Sequence, residues 1–247
     1  NFIKEEFERF GIEYTFTSGL AISDFKAAIQ PNTKLIYIGT PSNPLLTITD
    51  IAGIATLAKE AGLVSMIDNT FASPVNQNPA DFGIDVILHS ATKYMGGHSD
   101  ICAGAVAASQ AHIYQIFRLA KNLGGSLSDY TVWLLERSIK TMGIRVAAHN
   151  QNAMDMASYL EAHPKVAKVY YPGLDSHPDH ALAASQMKGF GGMLSFELAL
   201  GLNASSFQKA LKLIKPSMSL AGIESTLLSP TLTSHALLGA EERAKQG

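Results

Sequence analysis

The 247-residue sequence is short of cysteine, with Cys102 alone. One thiol excludes an internal disulfide framework and a cysteine zinc cluster, and it suits a reducing, cytoplasmic setting. Charge is also scarce. Asp, Glu, Lys and Arg make up 16% of the chain, against about 25% in ordinary soluble domains. Either much of the surface is polar but uncharged, or part of it is hidden against something else. Neither sign dominates: 19 basic and 21 acidic residues leave a net charge of −2, so no basic footprint points to nucleic acid or an anionic membrane. No apolar run approaches the ~20 residues of a membrane span, and no signal peptide is expected. A G-x-S-x-G elbow, a P-loop and a G-x-G-x-x-G after a strand are all lacking, which weighs against a nucleotide-binding α/β protein. Apolar residues are plentiful. At 47% hydrophobic, the chain has ample material for a buried core and is no disordered regulator.

The length suits one large domain, or a large and a small one together. Strand-like and helix-like segments alternate in the first half. Ser23 or Asp24 can cap a short helix around Phe25–Ile29. Lys34–Gly39 is a buried strand bounded by prolines. Thr49 to Gly62 carries a helical stripe with Thr49 or Asp50 at its start and Gly62 past its end. Leu63–Ile67, Asp85–His89 and Ala103–Ala107 read as further strands. Continuously apolar strands separated by helices predict an α/β fold, a mostly parallel sheet with both faces covered. From Ser128 to about His163 the pattern is one or two long helices, with Gly143 marking a bend or a close contact. A strand at Val166–Tyr170, a loop at 171–179, a Gly-rich strand at 191–198 and a helix at 204–214 follow. The expected division is therefore a large domain over 1–140 and a smaller α+β domain over 141–247, joined through the long helical segment.

In an open parallel sheet, ligands bind beyond the carboxyl ends of the strands. Three such ends carry polar groups: Asn43 in Thr40-Pro-Ser-Asn43, Asp68 after Ile67, and Ser90-Ala-Thr-Lys93 after His89. A neutral lysine amine can form a Schiff base with an aldehyde. A carboxylate can keep a pyridine nitrogen protonated, and small hydroxyl residues can hold a phosphate. Together these meet the needs of pyridoxal phosphate (PLP). Taken singly, the residues have plainer readings. An Asp after a strand is a common turn or cap residue, and a Lys beside Gly-Gly a common solvated one.

The string Ser90-Ala-Thr-Lys-Tyr-Met-Gly-Gly-His-Ser-Asp100, with Ile67-Asp-Asn-Thr-Phe-Ala-Ser-Pro74 upstream, closely resembles the Cys/Met-metabolism (trans-sulfuration) family of PLP enzymes. The likeness continues through Thr40–Pro44, Gly189–Glu197, Ser219–Ser225 and Thr233-Ser-His235, essentially the whole chain. It implies the aspartate-aminotransferase-like fold type I and a homotetramer of two active-site dimers. It makes Lys93 the Schiff-base lysine and Asp68 the partner of the pyridine nitrogen. Ser90 and Thr92 become phosphate-binding hydroxyls, and Asn43 a neighbour of the phenolic oxygen and the substrate carboxylate. Ser219 becomes a substrate-side serine near Lys93.

The resemblance implies a C–S lyase acting at Cβ or Cγ of cystathionine or a related sulfur amino acid. Cystathionine γ-synthase-type replacement on an activated homoserine is the alternative. Met218 stands where many γ-synthases and γ-lyases carry Glu, which favours the lyase, and Ala221 replaces the usual glycine. Family members approach 400 residues, and some of their substrate and phosphate contacts have no counterpart here. With Asn1 first and Gly247 directly after the charged helical stretch 240–246, the chain is expected to be incomplete at both ends, and a catalytically incompetent piece is a further reading. His177-Pro-Asp-His180 lacks a further ligand and reads as solvated loop, so no metal is expected. His98 and Asp100 are expected to order the lysine loop, Arg145 and His149 to bond at the domain junction, and Cys102 to be a small buried residue. Glu241-Glu-Arg243 reads as a solvated helix face.

Overall fold

The computed structural model describes residues 2–230. Thr233-Ser-His235 and the stretch 240–246 lie outside the described residues. A short helix α1 (Phe2–Glu6) and a 3-10 turn lead to α2 (Ile22–Ala28). Asp24 sits inside α2 rather than ahead of it, and its carboxylate accepts from the Ala21 N–H at 3.0 Å. The strands β1 (Leu35–Gly39) and β2 (Val64–Asp68) flank α3 (Ile51–Glu60). Asp50 caps α3, its Oδ1 accepting from Gly53 N–H at 2.9 Å, and Gly62 takes the left-handed φ of +67° just past the end. A single turn α4 (Ser73–Asn76) precedes β3 (Val86–Ser90), and β4 (Gly104–Ala108) completes the sheet.

The sheet order is β1-β2-β3-β4. The first three strands are parallel in register Gly39↔Asp68↔Leu88, and β4 returns antiparallel with Ser90 opposite Gly104. Alternation aims Ile36, Ile38, Ile67 and Ile87 at one face, where α2 and α3 add Phe25, Ile51, Ile54 and Leu57 to a single core. Each fully buried isoleucine there contributes roughly 1.5–3 kcal/mol. The opposite face departs from expectation. Leu35 and Tyr37 are exposed, Tyr37 by 43%, while Val86 on the same face is buried, so the described residues cover that face only in part. An apolar strand composition does not by itself say what covers each side.

Beyond the sheet, α5 (Gln110–Leu123), α6 (Asp129–Ile139) and α7 (Met142–Glu161) follow in succession. The break between α6 and α7 is at Lys140-Thr141. Gly143 lies in the first turn of α7 with open space around it, so it marks neither a bend nor a contact. Packed on α7 is an antiparallel pair, β5 (Val166–Tyr170) and β6 (Ser195–Leu198), with a second core of Ala153, Ala157, Val169, Tyr171 and Leu174. Between these strands lies α8 (His180–Gln186); α9 (Ala204–Ala210) and the two-residue strands β7 (Lys215–Pro216) and β8 (Thr226–Leu227) close the described chain. Helix α8 reaches back across the sequence: Gln186 accepts from Ile51 N–H and donates to Thr49 O. Asp179 accepts from Ile48 N–H at 2.9 Å.

Two smaller expectations are corrected. Cys102 is exposed, because it lies on the irregular stretch entering β4 rather than in a strand. His177 is buried, not solvated: its Nδ1 accepts from Asp179 N–H, and His180 Nδ1 bonds Pro172 O at 2.8 Å. Burial holds the His177 imidazole below its usual pKa, the nearby Asp179 charge opposing it.

Candidate active site

Strand alternation decides which side chains meet at the carboxyl edge. Ser65 and Ile67 face the core, so Val64, Met66 and Asp68 point to the open face, beside Tyr37 and Gly39 of β1. There the Asp68 carboxylate, after desolvation, helps push the Tyr37 phenol pKa upward. Across the pleat, burial lowers the His89 pKa while Asp68 opposes the shift. Asp68 Oδ1 accepts from Thr70 N–H at 2.9 Å, an Asx turn at the strand exit. Thr70 Oγ1 in turn accepts from Ser90 N–H at 2.8 Å, tying the exits of β2 and β3 together.

The chain then folds into compact turns. Lys93 N–H donates to Ser90 O, Gly96 N–H to Ala91 O, and Gly97 N–H to Lys93 O at 2.7 Å. Thr92 is committed to the neighbouring strand: its Oγ1 accepts from Ala103 N–H at 2.9 Å and donates to Ala103 O at a long 3.3 Å. From this turn the half-buried Lys93 side chain extends, and its Nζ donates to Ser219 Oγ at 3.4 Å. Ser219 also bounds a small cavity with Ser99, Ser217, Thr226 and Glu224, a lining dominated by hydroxyls.

The structure thus brings Lys93 to Ser219, 126 residues away, and puts Asp68 and Ser90 on adjacent strand exits. Asn43 lies on the turn after β1, four residues past Gly39, the strand neighbour of Asp68, and is exposed. His98 orders the lysine turn as expected, its Nδ1 at 2.7 Å from Gly96 O and 3.4 Å from Ser138 Oγ.

Behind the turn Arg145 and His149 meet the domain junction as expected, but sequence reasoning missed Tyr94, Asn76 and Asn150. Tyr94 is buried with its hydroxyl accepting from Gly192 N–H at 2.8 Å, and desolvation pushes its pKa up to about 12. Asn150 bonds Asn76 reciprocally and accepts from Gly191 N–H. A polar Arg145/His149/Asn150 stripe on α7 was the available signal.

Parallel strands delivering a lysine, a carboxylate and hydroxyls to one carboxyl edge make this the candidate ligand site of an α/β fold. The strand order has no reversal among the described strands, so the register of the strand exits, not a switch point, locates the site. The particular class is plain from comparison with known proteins: the chain belongs to the Cys/Met metabolism PLP-dependent enzyme family, which it matches over residues 1–247. It is 45% identical to a cystathionine gamma-lyase of Bacillus subtilis (strain 168), over 97% of this chain and 63% of that protein. A cystathionine beta-lyase of Lactococcus lactis subsp. cremoris (strain MG1363) is 43% identical over 96% of this chain and 63% of its own length. The crystal structure of cystathionine gamma-lyase from Lactobacillus plantarum complexed with L-serine superposes with a TM-score of 0.96 at 43% identity, covering 100% of this chain and 65% of that one. The chain therefore spans under two thirds of the length of these relatives. PLP is the cofactor of the family.

Proposed function

We propose that the protein is a trans-sulfuration C–S lyase that eliminates at Cβ or Cγ of cystathionine or a related sulfur amino acid, with Lys93 bonding PLP. The approach of Lys93 Nζ to Ser219 Oγ, 3.4 Å, beside the linked strand exits of Asp68 and Ser90, carries the reading. The donor set fits PLP on its chemistry. Lys93 has one long bond to a neutral hydroxyl, which leaves its amine able to condense with an aldehyde. Asp68 commits one oxygen to Thr70, so the other can accept from a pyridine N–H. Among the described residues no side chain bonds the Ser90 hydroxyl, which makes it the readier phosphate ligand. Thr92 would share its hydroxyl between phosphate and Ala103. Asn43 would hold the phenolic oxygen and the substrate carboxylate, and Ser219 would face the substrate.

When bound, PLP supplies an electron sink that lets the α-proton and then a β or γ leaving group depart. Lys93 would hold the cofactor and would serve as the general base that takes the substrate's Cα proton. Asp68, through the oxygen not bonded to Thr70, would keep the cofactor's ring nitrogen protonated. We divide the large domain, which carries Asn43, Asp68, Ser90, Thr92 and Lys93, from the smaller one, which carries Ser219, near residue 140; the α6–α7 break and the two main cores support this. A homo-oligomer, a tetramer of active-site dimers in a reducing cytoplasm, fits the exposed Tyr114, Phe117, Leu123, Tyr130 and Trp133 of α5 and α6. No helix among the described residues is long and apolar enough to cross a membrane.

The test is to add PLP, record the visible band of the lysine-linked cofactor, and assay pyruvate and 2-oxobutyrate from cystathionine. Lys93→Ala is expected to lose the band and essentially all turnover. Turnover retained in that variant overturns the assignment. Product formation that requires an activated homoserine and a thiol supports γ-replacement instead. A band without turnover supports a cofactor-binding piece that needs groups present in its longer relatives.

A further inference from the structure

We infer that Arg145 is a positioning residue for Lys93: its guanidinium fills the hollow of the 93–97 turn and fixes the carbonyls from which the lysine projects. The inference rests on the reading of Lys93 as the cofactor lysine, and adds a group that reading does not use. Nη1 of Arg145 donates to Tyr94 O at 2.8 Å, and Nη2 to Met95 O at 3.4 Å and Ser138 O at 2.9 Å. Nε donates to Thr141 Oγ1 at 3.2 Å. All four acceptors are neutral, and no described carboxylate forms an ion pair with it. A surface arginine would turn its head to water, and a salt-bridge arginine would seek an acid. Here the planar fork spans two successive carbonyls of the turn and ties them to the end of α6, an arrangement a single ammonium cannot reproduce.

The turn is shaped to receive it. Gly97 adopts φ +69°, and a Cβ there would stand 1.8 Å from Arg145 Nη1. Glycine is therefore needed twice over, for the left-handed backbone and for the approach of the guanidinium. Helix α7 also grips Tyr94 by its ring, since His149, one turn beyond Arg145, meets it edge-on with centroids 5.4 Å apart. The residue directly after Lys93 is thus held at its carbonyl by Arg145, at its ring by His149, and at its hydroxyl by Gly192. Lys93 has one remaining freedom, its own side-chain torsions, and Ser219 meets its tip. Burial, and then the nearby Arg145 charge, lower the His149 pKa, consistent with a cation held in a partly desolvated junction.

The experiment compares Arg145→Ala, Arg145→Lys and Gly97→Ala with the parent holoenzyme. PLP affinity is measured by titrating the stripped proteins, the pH midpoint of the visible band is recorded, and borohydride fixation with mass spectrometry identifies the labelled lysine. Arg145→Ala is expected to weaken PLP binding by roughly ten- to a hundredfold, the loss of charge-assisted bonds at a preorganised site, and to move the pH midpoint of the band. Arg145→Lys should restore only part of the affinity. Gly97→Ala should reproduce the loss with the guanidinium still present. Affinity within about twofold of the parent and an unmoved pH midpoint in Arg145→Ala, with Lys93 still labelled, overturn the inference. Should Arg145→Ala fail to fold, the same result in Arg145→Lys and Gly97→Ala together overturns it. Label on a different lysine in the parent overturns the reading of Lys93 instead.

Discussion

Replacing Asn150 by alanine tests how the second layer holds the Gly-rich segment against the sheet domain. Its Oδ1 accepts from Asn76 Nδ2 at 2.9 Å and from Gly191 N–H at 2.9 Å, while its Nδ2 donates to Asn76 Oδ1 at 2.8 Å. Asn76 is 2% exposed, so water cannot readily take the place of the lost amide. A hydrogen bond contributes about 1 kcal/mol net, and a buried group left unpaired costs about 1–3 kcal/mol. Three lost bonds, two of them stranding a buried side chain, sum to roughly 3–4 kcal/mol. With a urea m-value of about 1–3 kcal/mol/M, the unfolding midpoint should fall by more than about 1 M at unchanged m. Asn150→Asp keeps the acceptor but sets a carboxylate oxygen against Asn76 Oδ1, so it should rescue only part. In the cycle with Asn76→Ala, whose partner is the same pair of bonds, the coupling should be about 1–2 kcal/mol. A loss below about 1 kcal/mol in Asn150→Ala, or strict additivity in the cycle, refutes the argument.

Gln186 makes a comparable link from α8 to the start of α3, and Gln186→Ala leaves the fully buried Ile51 N–H without its acceptor; about 2 kcal/mol should be lost in a thermal or urea melt, and a change near zero counts against the contact. At alkaline pH the neutral Tyr94 phenol, with its pKa pushed up to about 12, is favoured by the fold over the unfolded value of about 10. Its contribution is thus complete below about pH 10 and is lost between about pH 10 and 12, with a slope near 1.4 kcal/mol per pH unit. Tyr171, raised by burial and by Tyr94, acts in the same direction. Tyr94→Phe should flatten that slope by about one proton in urea melts across the range; an unchanged slope refutes the assignment.

Local structure was legible where a residue's own neighbours decide it. Periodicity found β1, β2 and β3 within a residue, and the Asp50 cap and Gly62 terminus were readable because a side chain or a missing Cβ determines them. What depended on distant partners was not. The antiparallel return of β4 and the open face at Tyr37 have no signature in an apolar strand. Helices α5 and α8 also escaped, although α5 carries an apolar stripe at helical spacing that the described residues leave exposed. His177 looked like solvated loop because its burial comes from packing that the loop's own composition does not encode. The same division runs through the site. The strand-end positions of Asp68 and Lys93 were readable from the apolar strands before them, but their roles, like that of Ser219, rested on family resemblance, since nothing local links Ser219 to a lysine 126 residues away. Arg145 shows why positioning groups are the hardest to find. Its partners are mostly backbone carbonyls, which every residue carries, so no complementary side chain exists in the sequence to be sought. The one covalent trace of its presence is a missing side chain at Gly97, where both the left-handed φ and the approaching guanidinium exclude a Cβ.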